Sequence, residues 1–358
     1  MISPHLYKIK RTSNYDFLNR NTFLRLDRNE RNFPFPKKII KDLRKVITNY
    51  SLQAYPGDKQ KLITKIASLE KINSGYIEIV PGSDAALKYI FELFSFNKCS
   101  LSSIYPTYGM IDVYSKVYKA HLYKIRKNPK NFNHKDYFIK NIKWIYIANP
   151  NQPDGEIISL NNITKIIKKA KKENITVVID EAYISFSKQA SLIGLVKKFK
   201  NLVVLKTFSK FPGLAGLRIG YIASNPKFIK VFNTVRPIFD ISSLSICIAE
   251  YFIDNKKISE SYIKEVKLSK KYMIQECKKR NLNFINTETN FFYIKIPPLK
   301  LKKLHQTLMK NKILVRSHLL GNFKFINNTI RVTLAQKEVL KKLFTILDKI
   351  RLNKKWFV

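Results

Sequence analysis

The sequence predicts an α/β protein: a large domain with a mostly parallel central sheet flanked by helices, and a smaller α+β domain. Three observations lead there. Strand-like and helix-like segments alternate through the middle of the chain, the order that builds parallel sheets. Several strand-like runs end at a proline, as strands running into loops do. Finally, 358 residues, 45% hydrophobic and 26% charged, suffice for one large or two modest globular domains with a proper core.

Taken in order, "YIEIV" at 76–80 reads as a short strand, "PGSD" as a turn and "AALKYIFELF" as a helix with apolar spacing. "CSLSSIYP" and "KWIYIANP" are apolar runs that stop at prolines. Residues 160 to 174 carry helical spacing, "ITVVIDEAY" is a buried strand, "NLVVLKTFSK" is another, and "LRIGYIAS" closes the series. Helical patterns dominate from about Ser243 to Arg280. "TNFFYIKI", "KILVRSH" and "NTIRVTLA" look like strands of the smaller unit, finished by a helix through "EVLKKLFTILDKI". The expected division is a large domain at 45–240 and a smaller one made of the N-terminal arm 1–44 with 241–358.

Composition excludes several classes. No stretch has the uninterrupted apolar length of a membrane span. The start, "MISPHLYKIKRTSNYDF", lacks the apolar core of a secretory signal, so a cytoplasmic protein is expected. Cys99, Cys247 and Cys277 lie far apart, and the histidines show no ligand spacing, so neither disulfides nor a metal are indicated. The formal charge of +42 attracts phosphate backbones in general. Yet the lysines run from end to end without a nucleic-acid-binding motif, which reads as compositional bias. "KIIKKAKKEN" is most simply the solvated face of an amphipathic helix.

Each strand of the central region ends in a polar or glycine-containing sequence, and in open α/β sheets such ends converge on one ligand crevice. Gly82-Ser83-Asp84 opens a helix whose free backbone N–H groups suit an anion such as phosphate; a plain capping turn reads the same way. "YPTYGM" exposes Tyr108, and "NPNQPDG" is an amide-rich turn that includes Gln152; neither is specific by itself. Asp180 ends an apolar strand, a costly place for a carboxylate unless a cation meets it. P-loop ATPases put such an acid on Mg²⁺, but they need G-x-x-x-x-G-K-S/T, which the sequence lacks. The other reading gives Asp180 a protonated heteroaromatic nitrogen. With Lys210 one strand further on, in "KTFSKFPGLAGLRIG", this suggests a pyridinium cofactor held by a lysine Schiff base.

The ordered set "RLDRNE", "AYPGDKQKLITKIA", "VPGSDAAL", "YPTYGM", "NPNQPDG", "VVIDEAYISF", "TFSKFPGLAGLRIGY", "TNFFYI", "ILVR" and "IRVTLA" resembles the pyridoxal-phosphate aminotransferases of fold type I. Within them it is most similar to the histidinol-phosphate aminotransferase subgroup. The resemblance runs from about residue 24 to about residue 348, and "DEAY" followed by "SKFPGLAGLRIG" is its most specific pair.

The resemblance implies pyridoxal 5'-phosphate as cofactor. Lys210 would form the Schiff base and move the proton at the substrate α-carbon, which needs an amine partly neutral at about pH 7. Asp180 would keep the ring nitrogen protonated, Tyr183 and Gln152 would meet the phenolic oxygen, and Tyr108 would stack on the ring. Ser209, Arg218 and the backbone amides around Ser83 and Asp84 would bind the phosphate. Tyr55 would reach it from a neighbouring subunit, so the family implies a homodimer with shared active sites. Arg331 and Arg316 would hold the substrate's anionic group.

Four places depart from the family pattern. Gln152-Pro153-Asp154-Gly155 replaces the usual Asn-Pro-Thr-Gly and lengthens the amide's reach by a methylene. "NERNFPFP" replaces Asn-Glu-Asn-Pro and brings Arg31 to the expected entrance, as a further substrate-binding candidate. Ala335-Gln336 stands where glycine is common, and Lys206 where arginine is. The implied activity is ping-pong transfer of an amino group between glutamate or 2-oxoglutarate and a small phosphorylated partner, such as histidinol phosphate or imidazole acetol phosphate. Within the enzyme class the rivals are a decarboxylase of a phosphorylated amino acid, of the threonine phosphate type, and a transaminase or lyase of a polysaccharide or phosphonate pathway. From another class, the rival is a basic nucleic-acid-binding protein without catalysis.

Overall fold

In the computed structural model, which describes residues 2–9, 19–57, 59–96, 99–126, 133–318 and 325–352, the strands form two separate sheets. In chain order they are β1 (Leu24–Leu26), β2 (Ile77–Val80), β3 (Ser100–Tyr105), β4 (His121–Arg126), β5 (Trp144–Ala148) and β6 (Thr176–Asp180). Then come β7 (Leu202–Thr207), β8 (Gly220–Ala223), β9 (Phe284–Ile285), β10 (Phe291–Lys295), β11 (Ile313–His318) and β12 (Thr329–Thr333). The larger sheet has the order β2-β8-β7-β6-β5-β3-β4. Strands β3 to β7 pair parallel, and β8 runs antiparallel to both β7 and β2. This is the mostly parallel sheet that the sequence predicts.

Strands covered by helices on both faces have to be apolar on both sides. Accordingly, every residue of β2, β5 and β8 is buried. The helix Leu160–Lys172 shows how the lysines are accommodated. Ser159 caps its start, accepting from the Asn162 amide at 3.3 Å. Ile163, Ile166, Ile167 and Ala170 are buried at helical spacing, while Lys165, Lys168, Lys171 and Lys172 face solvent. Three strands escaped the sequence reading, among them the two-residue β9. Another is β4, "HLYKIR", which pairs with β3 at the sheet edge and buries none of its residues, so it shows no apolar run. The third is β1, only three residues long.

The contacts cluster into two units, Met1–Thr12 with Pro36–Lys256, and Ser13–Phe35 with Lys257–Val358. The sequence reading drew the second boundary at 240 and gave all of 1–44 to the smaller domain; three sets of contacts move these limits. The helix Ser243–Asp254 stays with the first unit, where Lys65 bonds Asp254 at 2.5 Å and Glu250 at 3.5 Å. The helix Lys37–Arg44 stays there too, since Asp42 accepts from the Tyr251 hydroxyl at 3.1 Å. His5 donates from Nε2 to the Val117 carbonyl at 3.1 Å. In the second unit, the sheet runs β1-β11-β12-β10-β9, and its parallel β1–β11 pair holds the segment around Leu24–Leu26. The helices Lys256–Lys279, Pro298–Lys310 and Lys337–Leu352 complete this part of the chain. No helix among the described residues is long and apolar enough to cross a membrane. Among them, no group of three or more His, Cys, Asp or Glu side chains could hold a metal ion.

Candidate active site

Strand register decides which residues meet. Val80, Gly220 and Thr207 form one cross-strand row, and Ala148, Asp180 and Leu205 form another. Because β8 is antiparallel, its beginning lies beside the ends of β2 and β7. Gly220 is the pinch point: an added Cβ would come within 2.6 Å of the Lys206 carbonyl oxygen and 3.3 Å of Gly82 Cα. This is why the glycine-rich run after Lys210 ends in glycine just before its strand.

Arg218, two residues before Gly220, has φ 50° and ψ 52°. That left-handed conformation costs a non-glycine residue about 1–2 kcal/mol. It turns the guanidinium back, so that Nη1 donates to Ser209 Oγ at 3.2 Å and to the Ala215 carbonyl at 3.3 Å. Gly82, at φ 83°, precedes the helix Ser83–Ser95, and a Cβ there would lie 3.2 Å from Arg218 Nη2. No side chain caps this helix start, so its first N–H groups lie near the guanidinium without a side-chain acceptor from the cap. Helix start, Ser209 hydroxyl and Arg218 make one cluster of donors.

Asp180 closes β6 with 6% exposure. Its Oδ1 accepts from the Ala182 amide and its Oδ2 from the Tyr146 hydroxyl, both at 3.0 Å. Burial raises its pKa from 3.8 to about 6, while these two hydrogen bonds and the Lys210 charge act in the lowering direction. Such a carboxylate is ready for a cation. Lys210 Nζ lies 5.8 Å from the centroid of the buried Tyr183 ring. Lys210, Asp180 and Tyr183 thus gather at one end of the sheet. Half-buried Tyr108 donates to Asp84 Oδ1 at 3.2 Å. Burial first, then the Asp84 and Asp180 carboxylates, holds its hydroxyl well above the usual 10, so the phenol keeps its proton.

The amide-rich turn after β5 is stapled by the residues around Gln152. Asn151 is buried, donating from Nδ2 to the Pro106 carbonyl and to Asp154 Oδ2, both at 3.0 Å, and accepting from Thr107 Oγ1 at 3.0 Å. Asp154 Oδ1 also accepts from the Glu156 amide at 3.0 Å, so the aspartate that departs from the family pattern secures its own turn. Gln152 is half-buried within it. Tyr55 is 75% exposed and stacks on Phe239 at 4.6 Å between centroids.

The arginines assigned to substrate all lie in the second unit. Arg316 and Arg331 face each other in register across β11 and β12, and Arg331 Nη2 donates to the Asp27 carbonyl at 2.7 Å. Arg31 has other company. Its guanidinium carbon lies 4.3 Å from the Phe35 ring centroid and 4.4 Å from that of Tyr262, with Nε donating to the Phe33 carbonyl at 2.8 Å and Nη2 3.6 Å from Glu265. Two aromatic rings thus lie against that guanidinium. Phe35, from the "NFPFP" run expected at the entrance, provides one part of this packing and Tyr262 the other.

The family model for aminotransferase class I and II matches residues 21–347. The chain belongs to this family. A histidinol-phosphate aminotransferase of Campylobacter jejuni subsp. jejuni serotype O:6 is 32% identical over 347 residues, covering 91% of each chain. One from Caldanaerobacter subterraneus subsp. tengcongensis is 28% identical, over 96% of this chain and 97% of the relative. Among solved structures, the histidinol-phosphate aminotransferase of Sinorhizobium meliloti in complex with pyridoxal-5'-phosphate superposes with a TM-score of 0.86 at 20% identity, over 99% of this chain and 98% of that one. The protein is a pyridoxal-phosphate-dependent aminotransferase with the fold that its sequence implies.

The residues present fit that cofactor. The space that a Cβ on Gly82 would fill lies beside the Arg218 guanidinium, Ser209 and an uncapped helix start, a donor set suited to a phosphate. The Asp180 carboxylate offers the buried anion that a protonated ring nitrogen needs. Sequence reasoning missed Tyr146, which holds this carboxylate. The signal available was a tyrosine inside a wholly apolar strand, on the face shared with Asp180 two positions along the neighbouring strand.

Proposed function

We propose that this aminotransferase exchanges an amino group between the glutamate/2-oxoglutarate couple and a small phosphorylated substrate, with histidinol phosphate and imidazole acetol phosphate as that pair. The observation that carries the chemistry is the buried Asp180, held by Tyr146 and Ala182 and close enough to Lys210 for its charge to act on the carboxyl. Bound pyridoxal phosphate supplies an electron sink for the pair released when the substrate α C–H bond breaks. Asp180 holds the ring nitrogen's proton. Lys210 Nζ would hold the cofactor's aldehyde carbon and, once displaced from it by the substrate amine, would be the free base that moves the proton at the substrate α-carbon. Tyr183 and Gln152 meet the phenolic oxygen, and Tyr108, fixed by Asp84, packs against the ring. Ser83, Asp84, Ser209 and Arg218 bind the phosphate, the two first-turn residues through backbone N–H groups. Arg331 and Arg316 take the substrate's anionic group.

The phosphorylated substrate rests on relatives of about 30% identity whose names carry it. An acceptor screen that follows 2-oxoglutarate consumption and CO₂ release tests it. Turnover of histidinol phosphate without CO₂ supports the reading; CO₂ release from threonine phosphate would replace it with decarboxylation.

We also infer a homodimer. Tyr55, Ile238 and Phe239 are 75%, 86% and 53% exposed, and two of the three are stacked on one another. A second copy covering this patch would let Tyr55 reach its partner's phosphate site. Light scattering that finds only monomers at micromolar concentration would reject the dimer.

A further inference from the structure

The antiparallel strands β10, β12 and β11 of the second unit's sheet carry a basic cluster on one face. Residues opposite one another in such a sheet share a face, as do residues two apart along a strand. Register therefore places Arg331 with Arg316 on β11 and with Tyr293 on β10. His318, two residues after Arg316, joins the same face, and its ring lies 5.8 Å from that of Tyr293. Arg331 is buried, with its guanidinium carbon 5.2 Å from the centroid of the Phe291 ring. Arg331 Nε and His318 Nε2 are buried nitrogens without a hydrogen-bond partner among the described residues. Unsatisfied buried polar atoms are costly, and an anion that accepts from both of these nitrogens would complete them. Burial, then the charges of Arg331 and Arg316, pushes the imidazole down to about 3, so it stands neutral between two cations.

A planar carboxylate can be satisfied by one guanidinium fork. A phosphate monoester has three terminal oxygens arranged in a pyramid and needs donors from more than one plane. Arg331 Nε, Arg316 and an imidazole N–H form such a set. We propose that His318 is a specificity-determining residue, donating from Nε2 to a phosphate oxygen of the substrate alongside Arg316 and Arg331. The imidazole thereby favours a phosphate monoester over a second carboxylate. This rests on the proposed phosphorylated substrate and adds the residue that selects it.

The test compares His318→Leu and His318→Gln in the holoenzyme, whose own phosphate site is filled. Glutamine presents an amide N–H at the reach of Nε2; leucine presents none. His318→Leu should raise KM for histidinol phosphate roughly tenfold more than it raises KM for glutamate. His318→Gln should recover most of that difference, a rescue that a merely structural role would not give. Inorganic phosphate, titrated calorimetrically into holoenzyme, should bind roughly tenfold more weakly to the leucine variant than to wild type. Equal effects on the two substrates, or failure of glutamine to rescue, would overturn the proposal. If wild type bound inorganic phosphate through His318 yet did not turn over histidinol phosphate, the substrate reading would fall and His318 would stand as a phosphate ligand. If the leucine variant bound phosphate as well as wild type, His318 would have no such role.

Discussion

Replacing Tyr146 with phenylalanine removes one hydroxyl and leaves the packing of β5 intact, so its effect falls on Asp180. The hydroxyl is one of two hydrogen-bond donors to that carboxylate, at 3.0 Å in a buried setting. A hydrogen bond to a charged group contributes about 1.5–3 kcal/mol, or about one to two pKa units. The Asp180 pKa should therefore move from about 6 in the wild type to about 7–8 in the variant. The sign follows from linkage. A carboxyl whose folded pKa exceeds its unfolded value stabilises fully below the unfolded value, and that contribution is lost as pH rises through the folded value. In cofactor-free wild type, the window runs from 3.8 to about 6, a loss of about 3 kcal/mol. In Tyr146→Phe the loss should continue to about pH 7–8 and end about 1.5–3 kcal/mol deeper. Urea unfolding of cofactor-free protein, followed from about pH 4 to pH 9, reads both curves. Superimposable pH profiles would show that the tyrosine does not set the charge on Asp180, and this part of the reasoning would fail.

Three further outcomes are expected. Gly82→Ala puts a Cβ 3.2 Å from Arg218 Nη2 at φ 83°, and should weaken pyridoxal phosphate binding about tenfold, a cost of about 1.4 kcal/mol; fluorescence titration with unchanged affinity would contradict the phosphate cradle. Arg31→Leu should lower stability by about 2 kcal/mol through the lost contacts with Phe35 and Tyr262; a raised KM with unaltered unfolding would return Arg31 to the substrate. Arg331→Lys keeps the charge but loses the fork, and should raise KM for the anionic substrate roughly tenfold with little change in cofactor affinity.

What could be read from sequence, and what could not, divides along physical lines. Strands β5, β6 and β7 are legible because burial on both faces demands unbroken apolar runs. Strand β4 is not, because an edge strand with no buried residue needs no such pattern. Asp180 stands out because a charged residue at the end of an apolar strand requires a reason, and Lys210 because the motif one strand further on suits the cofactor that would supply it. Tyr146 and His318 stayed hidden. A tyrosine in a core strand and a histidine near a strand end look ordinary until register shows which face each shares. Arg31 shows the opposite difficulty. Its charge invited a ligand, but the aromatic residues that cover it, Phe35 nearby and Tyr262 far along the chain, come together only in three dimensions.

The central claim is that Lys210 is the covalent partner of the cofactor. Reducing the holoenzyme with borohydride and sequencing its peptides by mass spectrometry locates the attachment directly. A single pyridoxyl adduct on Lys210, absent from Lys210→Ala, is the expected result. An adduct on another lysine, or a Lys210→Ala protein that still fixes the cofactor upon reduction, would contradict the account.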